Sequence, residues 1–327
     1  MSLRDMFGLG NKRATPPPVD ATVVKLPPPC TGAGLYGKLP IAADFIRLNA
    51  GGFASGGFDC WLEDGMGAVL ASGGAPNQAL VTFFACSASA PNAVIGMMGP
   101  SVDKVGRNFP AALFAYLDPS LTNALAFAAE AVGSFLFEAQ AHVAGLAQAL
   151  AAPAVSEIGV PTTEAQLIAV ADSARQLGAA NLHETLAMVF GSADENGWVH
   201  AIGICLAACS TSKNRFPDKA SVTLELPAGD DRARDFWLAL VSAALAWPTG
   251  APSWLWDSDS NRLLLALGPP TPSLFVALAL PGRAGARHWV VRTGSADAVL
   301  PAVSEHLRVC LGNPSATVGE FLETVSR

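Results

Sequence analysis

The sequence predicts an α/β protein whose sheet is largely antiparallel. Short runs rich in β-forming residues alternate with longer segments whose apolar residues recur at helical spacing. Three candidate strands follow one another between residues 80 and 117 with no helix between them, and consecutive strands of this kind pair as antiparallel neighbours. Hydrophobic residues make up 51% of the 327 and charged residues only 14%, so the chain has ample material for a core.

The first half contains a strand, a helix, three strands and a helical segment. Residues 57–72 are predicted to be an amphipathic helix because Phe58, Trp61 and Leu62 begin an apolar pattern of helical period. Asp118 followed by Pro119 is a typical helix start. The predicted strands are 35–39, 80–85, 93–98 and 111–117, and the Ala-rich helical segment is 119–151, with a break near Gly133.

The second half continues with helices and further strands. Thr163-Glu164-Ala165-Gln166 has the pattern of a capping box that opens a helix, and Thr317 to Glu320 has the same pattern before the last helix. The polar turn 257–261 predicts a hairpin between two apolar runs. The other predicted helices are 181–190, 231–247 and 272–280, and the predicted strands are 198–205, 222–226, 253–256, 263–267 and 288–292.

Proline-rich stretches divide the chain. Residues 1–30 are expected to be a flexible leader, because two Pro-Pro-Pro runs favour extended polyproline backbone. Pro153 and Pro161 mark a second boundary. We therefore predict an N-terminal domain over 31–152 and a C-terminal α/β subdomain over 153–327.

Composition excludes several functional classes. The net charge is −7, which argues against a nucleic-acid binder, since affinity for phosphates depends on an excess of Lys and Arg. No apolar run is long enough to span a membrane, and no secretory signal begins the chain. The six cysteines are scattered, as is typical of buried thiols in a reducing compartment. A cytoplasmic location is expected.

The sequence contains no convincing catalytic or cofactor motif. Residues 32–37 match G-x-G-x-x-G, but a Pro run precedes them and Pro40 follows, so the strand-turn-helix context of a dinucleotide site is missing. His183-Glu184 lacks the second His of a zinc protease motif. We predict no catalytic residue, no metal site and no cofactor.

Two segments combine charged residues with Gly, Pro and aromatic residues. The first motif segment, residues 37–47, contains Gly37, Lys38, Pro40, Asp44, Phe45 and Arg47; the second motif segment, residues 101–110, contains Ser101, Asp103, Gly106, Arg107, Phe109 and Pro110. Their charged side chains either form a cluster that binds a partner or a small anion, or pair as carboxylate and cation and hold two loops to the core. The second alternative explains the flanking Gly106 and Pro110, since the backbone must turn there.

These two segments resemble the TagF (ImpM) family of proteins associated with type VI secretion. The family's aromatic helix corresponds to Phe58, Trp61 and Leu62, and Ala43 stands where the family commonly has Gly. The resemblance implies a three-layer α/β/α fold and a non-enzymatic cytoplasmic factor that restrains the apparatus after translation. It also implies a forkhead-associated scaffold protein as partner.

The resemblance is weaker in the second half. Trp254 and Trp256, the leucine run 263–265 and the turn at Gly268 echo the family pattern. The two Trp side chains share one face of a strand, where they either form a protein interface or cover the core.

The sequence thus leads to one functional hypothesis and two alternatives. The leading hypothesis is a negative regulator of a bacterial type VI secretion system that binds a scaffold or apparatus component. The first alternative is a structural component of the apparatus. The second is a hydrolase linked to the threonine phosphorylation pathway, with Asp44, Asp103 and Arg107 at its site.

Overall fold

A computed structural model of the chain describes most of it from Cys30 onward. The described residues are 30–75, 79–87, 92–119, 121, 125–151, 153–191, 194–219, 222–248, 250–282, 287–293 and 303–326. The predicted leader therefore lies outside the described residues except for Cys30.

Nine strands of the described residues form one sheet, in the order β2-β1-β5-β4-β3-β7-β8-β6-β9. Every neighbouring pair is antiparallel except β6 and β9. The strands are β1 (Ala33–Gly37), β2 (Ile46–Leu48), β3 (Val81–Ala85), β4 (Val94–Gly99), β5 (Ala111–Tyr116), β6 (Thr223–Pro227), β7 (Ser253–Asp257), β8 (Arg262–Ala266) and β9 (His288–Val290).

Helices cover both faces of this sheet, which gives three layers. The helices are α1 (Gly51–Ser55), α2 (Phe58–Ala71), α3 (Ala128–Ala131), α4 (Gly133–Leu146), α5 (Thr163–Ala179), α6 (Leu182–Phe190), α7 (Glu195–Ser210), α8 (Asp231–Leu245), α9 (Ser273–Ala279), α10 (Glu305–Leu311) and α11 (Val318–Ser326). Helices α1, α2 and α9 contribute to the core on one face, and the other eight contribute to the core on the opposite face. The predicted α/β class with a largely antiparallel sheet is confirmed.

The two cores arise because neighbouring side chains of a strand point to opposite faces. Phe83 belongs to the α2 side, whereas Phe84 belongs to the opposite side and stacks on Trp254 with ring centroids 5.9 Å apart. Both faces of the central strands are therefore apolar, which explains why β3 and β5 have near-continuous apolar sequences instead of an alternating pattern.

One sheet contains strands of both predicted parts. Strand β3 of the first part pairs with β7 of the second, and Phe83 lies opposite Leu255 in that pair. The predicted division into residues 31–152 and 153–327 stays a prediction, because the shared sheet does not separate the two parts.

The prediction of a strand at 198–205 is wrong, because these residues lie inside α7. An apolar run of this length fits a buried strand or a buried helix equally well. The buried residues of α7 recur with a helical period of three and four: Trp198, Ala201, Ile202, Cys205, Ala208 and Cys209.

Two helix starts also differ from the prediction. After Asp118, the first α-helix among the described residues begins at Ala128, with a break at Val132 beside the predicted Gly133. Helix α5 is capped by Thr162, whose side chain accepts the Ala165 N–H, one residue before the predicted cap. The capping box of the last helix is confirmed, since Thr317 and Glu320 exchange backbone-to-side-chain hydrogen bonds. Strand β2 and helices α1 and α10 were not predicted.

Candidate functional site

The second motif segment folds back on itself as a short hairpin-like loop. The Phe109 N–H donates to the Ser101 carbonyl at 3.0 Å, and the Asp103 N–H donates to the Arg107 carbonyl at 3.1 Å. Gly106 makes the reversal with φ +86°, a conformation that side-chain-bearing residues rarely adopt. The sharp turn predicted around this glycine is present.

Asp103 is the centre of this loop. Its side chain is 0% exposed, and one carboxylate oxygen receives Lys38 Nζ at 3.2 Å and Arg107 Nε at 2.6 Å. The other oxygen accepts the backbone N–H groups of Val105 at 3.0 Å and Arg107 at 2.9 Å. Burial by itself would raise the pKa of Asp103, but these hydrogen bonds outweigh it and hold the pKa well below its usual range.

Backbone contacts also join the two motif segments. The Lys104 N–H donates to the Ala42 carbonyl at 2.9 Å, and the Arg107 guanidinium donates to the Ala43 carbonyl. Ala43 is not among the residues with positive φ, so alanine fits where the family commonly has glycine. Around Pro40, the Ala42 N–H closes a turn on the Leu39 carbonyl at 3.1 Å.

The structure does not add the side chains of Asp44 and Arg47 to this cluster. Asp44 is exposed, and its carboxylate accepts the Phe45 N–H. Arg47 lies over the ring of Tyr36, with 5.5 Å from the guanidinium carbon to the ring centroid. The pairing predicted for the motif is therefore made by Asp103 with Arg107 and Lys38.

The aromatic motif residues form a layer under the charges. Phe45 stacks on Tyr36 at 5.3 Å between ring centroids and meets the edge of Phe109 at 4.9 Å. Lys38 Nζ lies 5.2 Å from the centroid of Phe45. The Tyr36 hydroxyl donates to Glu63, and burial together with this carboxylate raises the tyrosine pKa well above its usual range.

Gly37 and Pro110 are in direct contact where β1 meets β5. A Cβ atom built on Gly37 would lie 2.3 Å from the Pro110 carbonyl oxygen, and Gly37 has φ +143°. Only glycine allows this approach of the two motif segments.

Trp61 links α2 to α9 beside the second motif segment. Its indole N–H donates to the Thr271 carbonyl at 2.9 Å, and its ring lies 4.9 Å from that of Phe275. This contact holds α2 and α9 together beside the second motif segment.

An apolar pocket of about 190 Å³ lies where the loop, α2, α9 and the end of α4 meet. Local sequence patterns do not predict this pocket, because its walls come from distant parts of the chain. Ser101 is one of its lining residues, and within the described part of the chain its buried hydroxyl has no hydrogen-bond partner. The lining side chains include Met66, Val69, Met98, Phe109, Phe275 and Leu278.

Both tryptophans of the predicted pair lie on the same face of β7 and pack on the same core. Trp254 is 0% exposed and packs in the core, whereas Trp256 is half-buried and donates its indole N–H to the Ala228 carbonyl at 2.8 Å. These positions favour the alternative in which the pair covers the core.

A second polar cluster, around Arg234, was not predicted from the sequence. Arg234 of α8 is almost completely buried and contacts three carboxylates, those of Glu130, Asp231 and Asp235. Its guanidinium carbon lies 4.6 Å from the Trp256 ring centroid. The alternating charges at 231–235 could have indicated this cluster, but the same pattern occurs at exposed helix starts. The partner Glu130 could not be found from local sequence, because it is about a hundred residues away.

In both clusters the charged side chains pair with one another, which favours a structural role over a catalytic one. In each, a buried carboxylate is bound by an arginine, and among the described residues no group of three His, Cys, Asp or Glu side chains is placed to hold a metal ion. No helix within the described ranges is long and apolar enough to cross a bilayer.

Comparison with known proteins gives a family match within the first half of the chain. Residues 34–157 match the model of the TagF N-terminal domain, described as type VI secretion system-associated. The chain is also similar to a solved structure, PA0076 from Pseudomonas aeruginosa PAO1, at 26% identity over 43% of this chain and 78% of that chain, with a TM-score of 0.27. No significant match was found among the curated proteins.

Proposed function

We propose, from the match of residues 34–157 to the TagF N-terminal domain of type VI secretion-associated proteins, that this chain is a non-enzymatic regulator of that apparatus. It acts in the cytoplasm, after translation, by binding a protein component and restraining assembly or firing. The forkhead-associated scaffold that the resemblance implies is the first candidate partner.

The observation that carries this proposal is the internal pairing of Asp103. Lys38 and Arg107 are held by the buried carboxylate, so the charged motif residues fix the shape of the loop. The loop tip is exposed, and the side chain of Val105 is 66% exposed there. A rigid loop with an exposed apolar tip loses little conformational entropy on binding, which favours protein recognition.

The hydrolase alternative has little support from the same residues. A general base needs a pKa near the operating pH and access to the substrate. Asp103 is buried, and its low pKa makes it a poor base. Arg107 is bound to Asp103 and to the Ala43 carbonyl, and Asp44 is exposed beside its own backbone N–H.

A charge placed on the loop tip tests the proposal. In cells that express the secretion system, we expect deletion of the gene to increase secretion and interbacterial killing under repressing conditions. The intact gene should restore repression, and Val105→Asp should fail to do so while recovery of secretion components with tagged protein falls about tenfold. Val309→Asp is the matched control, because Val309 of α10 is also 66% exposed.

Two results would contradict the proposal. One is unchanged secretion and killing after deletion, under both repressing and inducing conditions. The other is a well-folded bait that recovers no secretion component from such cells. Co-purification in a fixed ratio with the baseplate or sheath would instead favour a structural component.

A further inference from the structure

A groove of about 820 Å³ opens in the helical layer that contains α4, α5 and α8. Its floor is a row of side chains from three neighbouring strands: Met97 of β4 lies opposite Thr82 of β3, and Thr82 lies opposite Trp256 of β7. Helix α4 forms one wall, and α5 together with the first turn of α8 forms the other. This interhelical groove is therefore a gap between helices that reaches down to the sheet.

Apolar side chains line much of the interhelical groove. Phe137 of α4 is 81% exposed there, and Leu136 and Trp256 also line it and are half-buried. An apolar cavity of about 150 Å³ already accepts benzene, so the groove has room for several side chains. An apolar surface of this kind favours contact with another segment.

The interhelical groove is also negatively charged. Among the described residues that line it, four carry carboxylates: Glu130, Asp172, Asp231 and Asp259. Arg234 is the one cation in that lining, and it is buried and bound to carboxylates. Asp172 also pairs with Arg175 at 2.9 Å, but both side chains are well exposed, and a pair of this kind contributes little. Complementarity therefore favours a basic occupant.

The chain itself contains a segment with the matching chemistry. Residues 3–13, the basic segment, lie in the part of the chain that the structure does not describe. Their three cations and one carboxylate give a net charge of +2, whereas the whole chain has −7. Their large apolar residues are Leu3, Met6, Phe7 and Leu9. The basic segment thus combines apolar side chains with positive charge, as the groove combines apolar side chains with negative charge.

We propose that the basic segment occupies the interhelical groove of its own chain. Phe7 and its apolar neighbours cover the floor and Phe137, and the cations lie beside the four carboxylates. This contact forms within one molecule and does not depend on the proposed function.

The length of chain between the basic segment and the fold permits this contact. Residues 14–29 span about 50 Å when they are extended. Strand β1, which follows Cys30, lies three strands away from β3, or roughly 15 Å. Cys30 packs on the α2 side, and the remaining length is enough to pass around the end of the sheet. A tethered segment acts at an effective concentration of about millimolar, so weak affinity is sufficient.

Methionine methyl groups of the full-length chain report on the contact. Met97 lines the groove, whereas Met98 packs in the core on the opposite face of the sheet. We expect a nuclear Overhauser effect between the methyl groups of Met6 and Met97. Phe7→Ala should shift the Met97 resonance and leave Met98 in place, and about 1 M salt should weaken the contact by screening the charges.

Charge reversal tests the complementarity. Lys12→Glu with Arg13→Glu should lower the ratio of bound to free segment about tenfold, as read from the Met97 resonance. Asp172→Lys with Asp259→Lys should do the same, because both carboxylates line the groove. Combining the four changes should restore the contact. Asp64→Lys is the matched control, because Asp64 is an exposed residue of α2 on the opposite side of the sheet.

A peptide with the sequence of residues 3–13 measures the affinity directly. Added to the full-length Phe7→Ala variant, it should return the Met97 resonance to its position in the unchanged protein. The same peptide with its phenylalanine replaced by alanine should bind about tenfold more weakly.

Several outcomes would overturn the inference. One is the absence of the Met6–Met97 effect together with an unchanged Met97 resonance in Phe7→Ala. Another is an equal response of Met97 to Asp64→Lys and to the reversals at Asp172 and Asp259. A response that grows with protein concentration indicates that the segment of a second copy fills the groove. A Met97 shift on addition of an unrelated Lys- and Phe-containing peptide, without any effect of Phe7→Ala, indicates a site for a partner protein. These measurements involve no secretion component, so their failure is distinct from failure of the proposed function.

Discussion

Asp103 accepts four hydrogen bonds, two from side chains and two from the backbone, while its carboxylate is shielded from water. A buried carboxylate is stable as an anion only when nearby donors replace the lost water. Lys38 and Arg107 supply two of these donors from separate segments. The sequence predicted a carboxylate–cation pair only as one of two alternatives, and the participation of Lys38 depends on the pairing of β1 with β5, which local spacing does not show.

Asp103→Asn should destabilise the protein most at neutral pH. Because the folded-state pKa is lowered, the stabilisation by the anion is fully present above about pH 4, the ordinary value for Asp, and is lost as the pH falls through the folded-state pKa. Urea unfolding at several pH values measures this. The difference between the unchanged protein and Asp103→Asn should shrink below about pH 4.

Asp44→Asn is the matched control for that experiment. Its carboxylate is exposed and accepts only a neighbouring backbone N–H, so the substitution should change stability little at any pH. An equal effect of both substitutions would contradict the central role of Asp103 in the loop.

Helices α2 and α9 pack closely because α2 has a glycine at their contact. A Cβ atom built on Gly65 would lie 2.1 Å from a ring carbon of Phe275, whereas one built on Gly67 would meet nothing within 4 Å. Both glycines lie on α2, but close packing requires a glycine only at position 65.

Alanine at these two positions should change the stability of the protein in opposite directions. Gly65→Ala should destabilise the protein by about 1–3 kcal/mol, because the ring of Phe275 must move out of a filled core. Gly67→Ala should stabilise it by about 0.5–1 kcal/mol, because alanine favours helix and the site is open. Urea midpoints at constant slope measure both, and stabilisation by Gly65→Ala would show that α9 repacks freely.

The elements with a clear local signal were predicted well, and those without one were not. The hairpin of β7 and β8 and the amphipathic helix α2 follow from turn residues and apolar spacing. Helix α7 is apolar nearly all round, so its period was hidden. The apolar pocket could not be predicted, because its walls meet only through the tertiary arrangement of the loop and three helices.

At the scale of the whole molecule, the second polar cluster, around Arg234, connects the two halves of the chain. Glu130 comes from α3 of the first half, and Arg234 and Asp235 come from α8 of the second. Burial, together with the nearby Glu130 carboxylate, raises the pKa of Asp235 to about 8 despite the attraction of Arg234. The side chain of Asp235 therefore holds its proton near neutral pH.

Stability should consequently fall as the pH rises from about 4 to about 8. The folded-state pKa of Asp235 is above the unfolded value of about 3.9, so its contribution is fully present below that value and is lost as the pH rises through about 8. Asp235→Asn, which needs no proton, should make the pH dependence flatter in urea unfolding. Asp231→Asn should keep the original slope, because its side chain is 75% exposed. Equal slopes for the unchanged protein and Asp235→Asn would contradict the prediction.

The junction of β3 with β7 has a consequence for synthesis on the ribosome. Thr82 pairs with Trp256, so about 170 further residues must be synthesised after β3 before its partner strand β7 exists. At bacterial rates of about 5–20 residues per second this delay is roughly 10–35 s. During that time the edge Val81–Ala85, apolar on both faces, is open to pairing with other chains. A nascent chain that stalls before β7 therefore presents an aggregation-prone edge, and chaperones that protect it during translation should raise the yield of folded protein.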